Sequence, residues 1–257
     1  MKRLFTIGVI LLFIGMTISP ATGINLEKQC PTNYGLSSLR HINITFESCN
    51  YTLYGEIFYP SNDSEIYPGI VFCEGMYTYL TPYRWIPKAL AEEGYVVLIF
   101  DFPGQGKSEG IFPIPKYSIR FLLGINLRFT AIIETQIHYK NGIWVTATSD
   151  ALTYLLGESP VKNMIDNQSI GLIGHSLGGT TVTETAAIDE RVDAVVALSS
   201  GNFQRIHEVD VPVQFQGGCF DIGTMSIPVL LLCYKNANTP KEIITISGGT
   251  HAGFVEL

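Results

Sequence analysis

Residues 169–181, SIGLIGHSLGGTT, set one serine between two glycines just past a short apolar run. Residues 169–174 read as a buried strand and 177–187 as a helix, so Ser176 falls where one turns into the other. Gly174-His175-Ser176-Leu177-Gly178 fits G-x-S-x-G, a sharp strand-to-helix turn that exposes a serine hydroxyl above a sheet. The glycines answer a steric demand, because side chains two residues from the serine would collide as the chain bends. Glycine and serine are common, so the pentapeptide alone is a weak signal. The strand before it and the helix after it are the context the motif requires; the competing reading is an ordinary serine in a glycine-rich turn.

Outward from that turn, strands and helices alternate. HINITFESC (41–49) and YTLYGEIFY (51–59) interleave apolar and polar residues around Asn50 and predict an antiparallel pair. Residues 68–73, 95–102, 192–199, 227–234 (IPVLLLCY) and 242–247 predict further strands, most of them unbroken apolar runs of the kind covered on both faces. Helices are expected from Thr81 and Pro82 to Gly94, and over 147–156, where Ala151, Leu152, Leu155 and Leu156 share one face. The expected fold is α/β: a mostly parallel central sheet with helices on both faces and a leading antiparallel strand pair.

Composition sets the outer limits. The chain has 257 residues, 46% of them hydrophobic, with 16 Lys and Arg against 23 Asp and Glu, a net charge of −7. That acidic balance argues against nucleic acid, whose binding draws on lysines and arginines at phosphates. Residues 1–23 carry Lys2 and Arg3, an apolar run from Leu4 to Ile18 and then small residues, the order of a signal peptide. An uncleaved N-terminal anchor is the alternative; either way the domain at 24–257 is expected to be secreted or to face outside the cytoplasm. In that setting Cys30 and Cys49 could pair, whereas Cys73 and Cys233 lie in apolar runs as buried thiols. The histidines are scattered, and no metal is expected. Asn43, Asn50, Asn62 and Asn167 each begin an N-x-S/T sequon.

FDFPGQGKSEG (100–110) follows the 95–102 strand, and with the serine turn it resembles the α/β-hydrolase superfamily from about residue 42 to His251. RWIPKALAEEGYVVLIFDFPGQGKSEG is most similar to the serine-aminopeptidase and monoglyceride-lipase-like branch. GHSLGGTTVTETAAIDERVDAVVALSS is closer to dienelactone-hydrolase and cutinase-like esterases. The resemblance implies Ser176 as nucleophile and His251, after the last strand, as base. It implies backbone N–H groups of Met76 and Leu177 as the oxyanion hole, with Glu74 where relatives carry histidine. No cofactor is implied.

The triad acid is where the chain departs from the pattern. If 227–234 is the seventh strand, the usual place for an aspartate reads KNANTP, with Asn236 and Asn238. Three readings stand: Asp221 reaches His251 from before that strand, Asn236 or Asn238 orients it, or catalysis is lost and a binding protein remains. As a loop acid, Asp221 is otherwise expected to be solvated. The chain stops at Leu257, where relatives continue into a helix behind the histidine loop. Residues 111–143 form a long apolar segment, read either as a lid that covers the site or touches a membrane surface, or as a helix packed on the sheet. The leading expectation is an exported serine hydrolase, a carboxylesterase for a small or medium apolar ester, with a peptidase or lipase sharing the same residues.

Overall fold

The computed structural model describes residues 39–110, 142–202, 205–221 and 227–256. The leader at 1–23, Cys30 and the 111–141 portion of the expected lid segment lie outside them. The alternating segments form β1 (Leu39–Ser48) and β2 (Tyr51–Pro60), antiparallel in unbroken register from Leu39↔Pro60 to Ser48↔Tyr51. Cys49 and Asn50 close the hairpin with φ of 54° and 64°, the left-handed pair of a two-residue turn that suits strand twist. Among the described residues Cys49 has no disulfide partner.

The apolar runs become β3 (Tyr67–Cys73), β4 (Val96–Phe100), β5 (Ile165–His175) and β6 (Ala194–Leu198), followed by β7 (Val213–Gly218) and β8 (Lys241–Ile246). The sheet order is β1-β2-β4-β3-β5-β6-β7-β8, with β3 to β8 parallel and β2 running against both of its neighbours. The helices are α1 (Trp85–Glu92), α2 (Ile143–Gly157), α3 (Leu177–Ala186) and α4 (Ile227–Asn236). Thr81 and Pro82 open a single 3-10 turn, and α1 starts after it. Pro87 then lies in the first turn of α1, where a missing N–H costs nothing.

Successive strand residues face opposite ways and divide the core in two. Ile86, Leu90 and Ala91 of α1 pack with Val97, Ile99 and Ile173 on one face. Trp144, Leu152 and Leu155 of α2, Val182 of α3 and Leu230 of α4 pack with Val96, Leu98 and Leu172 on the other. Each buried Val, Leu or Ile among them contributes about 1.5–3 kcal/mol by leaving water. Cys73 and Cys233 are buried thiols, both with pKa pushed up to about 12 by desolvation. Among the described residues no helix is long and apolar enough to cross a membrane.

One run departs from the sequence expectation. Residues 227–234 are not a strand but most of α4. Leu230 and Cys233 are its buried residues, at helical spacing, while Leu231 and Leu232 are 49% and 40% exposed. A short apolar run cannot be assigned by periodicity alone, and the parallel step from β7 to β8 requires a crossover of this kind. The strand hidden from the hydropathy reading is β7, VQFQGG, all six residues of which are buried. Its glutamines satisfy one another inside the sheet: Gln216 Nε2 donates to Gln214 Oε1 at 2.7 Å, and Gln214 Nε2 to Glu242 Oε2 at 3.0 Å. The seventh strand therefore ends at Gly218, and the residues just beyond it take the place that KNANTP had been given.

Candidate active site

Ser176 stands between β5 and α3 with φ 55° and ψ −117°, a conformation that costs about 1–3 kcal/mol unless its surroundings enforce it. They do so by close packing. A Cβ on Gly174 would lie 2.3 Å from Gly178 O, and one on Gly178 would lie 2.2 Å from Cys73 O. Ser176 N–H donates to Leu198 O at 2.9 Å, and Ser176 O accepts from Thr180 N–H at 3.2 Å. The turn is clamped between β3, β6 and its own helix, and its hydroxyl is left at the carboxyl end of the sheet.

Two neighbouring strand ends bring the partners. Ser176 Oγ is 2.9 Å from His251 Nε2, and His251 Nδ1 is 2.9 Å from Asp221 Oδ2. A carboxylate only accepts, so Nδ1 carries the proton and Nε2 is bare toward the serine. Asp221 follows β7 and His251 follows β8, and the two turns are laced together. Cys219 N–H donates to Ile246 O at 2.9 Å and Phe220 N–H to Gly249 O at 2.8 Å, while Gly248 N–H reaches Cys219 Sγ at 3.1 Å. Gly218 permits this approach, since a Cβ there would meet Gly249 O at 2.2 Å. The Asp221 side chain is fully buried, that of His251 31% exposed.

The expectation of a solvated Asp221 is thus corrected, because the strand before it is β7 itself. The asparagines do not meet the histidine. Asn238 Nδ2 donates to His207 O at 2.8 Å and to Val209 O at 3.2 Å, and Asn236 is exposed at the end of α4. His251 Nδ1 is already occupied by Asp221.

Beyond β3, Glu74-Gly75-Met76 passes beside the serine: a Cβ on Gly75 would lie 3.4 Å from Ser176 Cβ. The buried Gln105 amide holds this loop. Its Nε2 donates to Glu74 Oε1 at 2.7 Å and to Gly75 O at 3.1 Å, and its Oε1 accepts from Tyr77 N–H at 2.6 Å. The peptide groups on both sides of Met76 are fixed by one side chain. Neither Met76 N–H nor Leu177 N–H has an acceptor among the described residues. Asp101 secures the turn behind, accepting from Leu80 N–H at 2.6 Å and Lys107 N–H at 2.8 Å, which accounts for the FDFPGQGKSEG pattern. Gln105 was missed in the sequence, since nothing in a glycine-rich turn marks which side chain folds inward.

Glu74 Oε1 also accepts from Phe102 N–H at 3.0 Å, while Oε2 is buried without a partner. Burial, reinforced by the nearby Asp101 carboxylate, holds the Glu74 pKa well above the usual range. The folded state then grips this proton more tightly than the unfolded state, so stability drops as pH rises above the ordinary glutamate value. Glutamine keeps the acceptor and cannot titrate. Glu74→Gln is expected to be more stable than the parent in urea at pH 8, and to lose that advantage toward pH 4. An advantage that stays constant between the two would show that Glu74 is not held protonated.

A family model described as alpha/beta hydrolase fold matches residues 68–217. A bis(hydroxyethyl) terephthalate hydrolase of Streptomyces coelicolor is 26% identical over 165 residues, covering 63% of this chain and 43% of that protein. Platelet-activating factor acetylhydrolase of Bos taurus is 25% identical over 216 residues, covering 75% of this chain and 49% of its own. The chain therefore spans about half the length of the curated relatives it matches. In architecture it is similar to the crystal structure of a hypothetical protein from Pseudomonas aeruginosa, with TM-score 0.64 and 15% identity over 91% of this chain and 93% of that one.

Proposed function

The chain belongs to the alpha/beta hydrolase fold family, and from that premise we propose that it is a serine hydrolase cleaving carboxylic esters. The observation that carries the proposal is the line from Asp221 through His251 to Ser176, with 2.9 Å at each step. Ser176 Oγ attacks the ester carbonyl carbon while its proton passes to His251 Nε2. The tetrahedral oxyanion accepts from Met76 and Leu177 N–H, usually the largest single contribution to such a reaction. On collapse the C–O bond to the alcohol breaks, and the proton on Nε2 goes to the leaving oxygen. Water then gives a proton to Nε2, attacks the acyl-serine carbonyl, and releases the acid as the serine regains its proton. Asp221 holds the reactive tautomer and offsets the imidazolium charge.

The substrate we assign is a small or medium apolar ester. Tyr77 and Tyr79, just past Met76, and Phe220, next to Asp221 in the chain, are aromatic residues 62%, 50% and 63% exposed, and they are the large exposed apolar groups nearest in sequence to the site. Two relatives are named as hydrolases of bis(hydroxyethyl) terephthalate and of platelet-activating factor, which supports the same class. The reading as a binding protein drew on the asparagines of KNANTP, and with Asp221 against His251 it loses that ground.

Labelling with a fluorophosphonate, followed by peptide mapping, tests the proposal. One adduct per chain on Ser176, with hydrolysis of short-chain p-nitrophenyl esters, is expected. A folded protein that takes no adduct and hydrolyses none of them would remove it.

A further inference from the structure

A second line of hydrogen bonds crosses the site, away from the reacting atoms. Gly75 N–H lies 3.2 Å from Tyr83 Oη. Tyr83 Oη is 2.8 Å from His175 Nδ1, and His175 Nε2 is 2.8 Å from the carbonyl oxygen of His251. Tyr83 and His175 are 0% and 3% exposed, so water does not compete for these bonds.

The direction of each link follows from its end groups. A backbone carbonyl only accepts, so His175 Nε2 bears a proton and donates it. Burial, with His251 close by, pushes the His175 pKa down to about 3, and a neutral ring has one bare nitrogen. That nitrogen is Nδ1, which accepts the Tyr83 hydroxyl proton and leaves the phenol oxygen to accept from Gly75 N–H. The chain runs one way, from the loop beside Met76, through the core, to the backbone of His251.

Ring contacts reinforce it. The His175 ring centroid is 4.9 Å from that of His251 and 5.6 Å from that of Phe254. The far end of the His251 turn is tied separately, by Trp85 Nε1–H to Phe254 O at 3.2 Å and Glu256 N–H to Pro82 O at 2.9 Å. The His251 carbonyl itself is held by His175.

We propose that Tyr83 and His175 are positioning residues for ester hydrolysis, coupling the oxyanion loop to the backbone of His251 so that Nε2 stays in line with Ser176 Oγ. The inference rests on the serine-hydrolase reading. A misplacement of about 1 Å at a reacting group can cost about 10²-fold in rate, and removing either link leaves a buried donor or acceptor that draws its neighbours out of place.

Three variants separate positioning from space filling. Tyr83→Phe keeps the ring and removes only the oxygen. His175→Asn keeps an acceptor near Nδ1 and loses the far donor, whereas His175→Gln extends a donor to the Nε2 position. Tyr83→Phe and His175→Asn are expected to lower kcat about 10- to 100-fold with KM within about twofold, and to slow fluorophosphonate labelling in parallel. His175→Gln is expected to recover part of the loss seen in His175→Asn, because it restores the donor toward the His251 carbonyl but offers Tyr83 no acceptor at the Nδ1 position. The low-field proton resonance of the His251–Asp221 bond should broaden in His175→Asn and sharpen again in His175→Gln. Parent-like kcat in folded Tyr83→Phe, or equal losses in the two His175 variants, would overturn the inference while leaving the hydrolase reading intact. A parent that takes no label at Ser176 would overturn both.

Discussion

Replacing Asp221 by asparagine is expected to lower kcat about 10⁴-fold, with KM little changed. The carboxylate is fully buried and 2.9 Å from His251 Nδ1, so it determines which nitrogen carries the proton. An amide can turn its NH₂ toward Nδ1, which sends the imidazole proton to Nε2 and points a donor at the serine. It also leaves the transient imidazolium uncompensated by a carboxylate. Ser176→Ala is expected to cost more, about 10⁶-fold, and adding Asp221→Asn to it should cost almost nothing further, because the three groups act as a unit. Asn238→Ala is the contrasting variant. Its amide serves the carbonyls of His207 and Val209, and kcat should stay within about twofold, the scatter of a surface change. Steady-state hydrolysis of one p-nitrophenyl ester by the parent and the four variants decides the matter. An Asp221→Asn variant that keeps more than a tenth of parental kcat would place the orienting group elsewhere.

Gly178→Ala is expected to destabilise the fold by about 4 kcal/mol or more, from the exceptional end of single-residue effects. The added methyl would sit 2.2 Å from Cys73 O and 2.3 Å from Glu74 O. Both are backbone atoms at the end of a central strand, and Cys73 is registered against Phe100 on one side and Gly174 on the other. Neither can swing aside as a side chain would, so α3 must lift from β3 and take the serine turn with it. Total stabilities of about 5–15 kcal/mol leave little margin for such a loss. Gly157→Ala gives the comparison: a Cβ there meets nothing within 4 Å, and the change should stabilise by about 0.4–1 kcal/mol by restricting the unfolded chain. Urea midpoints of the two variants and the parent are the measurement. A Gly178→Ala protein within about 1 kcal/mol of the parent would mean that the turn relaxes far more easily than close-packed backbone normally does.

The sequence and the structure agree where local chemistry is decisive. The alternation around Asn50, the apolar runs at 68–73 and 95–102, and the spacing of glycines about Ser176 each specify an element through side-chain period or steric need. They diverge at β7 and α4. An eight-residue apolar run has no period long enough to separate strand from helix, and a buried strand with two glutamines looks like a surface segment until each glutamine finds its partner. That one exchange moved the end of the seventh strand and made the acid appear to be missing.

By itself the sequence determined the architecture, the serine turn and the histidine after the last strand, because a strained turn between glycines is a property of neighbouring residues. Only the folded chain shows which carboxylate lies against His251, how Gln105 clamps its loop and how Tyr83 meets His175. The contacts of Gln105 with Tyr77, Asp221 with His251 and Tyr83 with His175 join residues 28, 30 and 92 positions apart along the chain, and they depend on parallel strands delivering their carboxyl ends to the same side of the sheet.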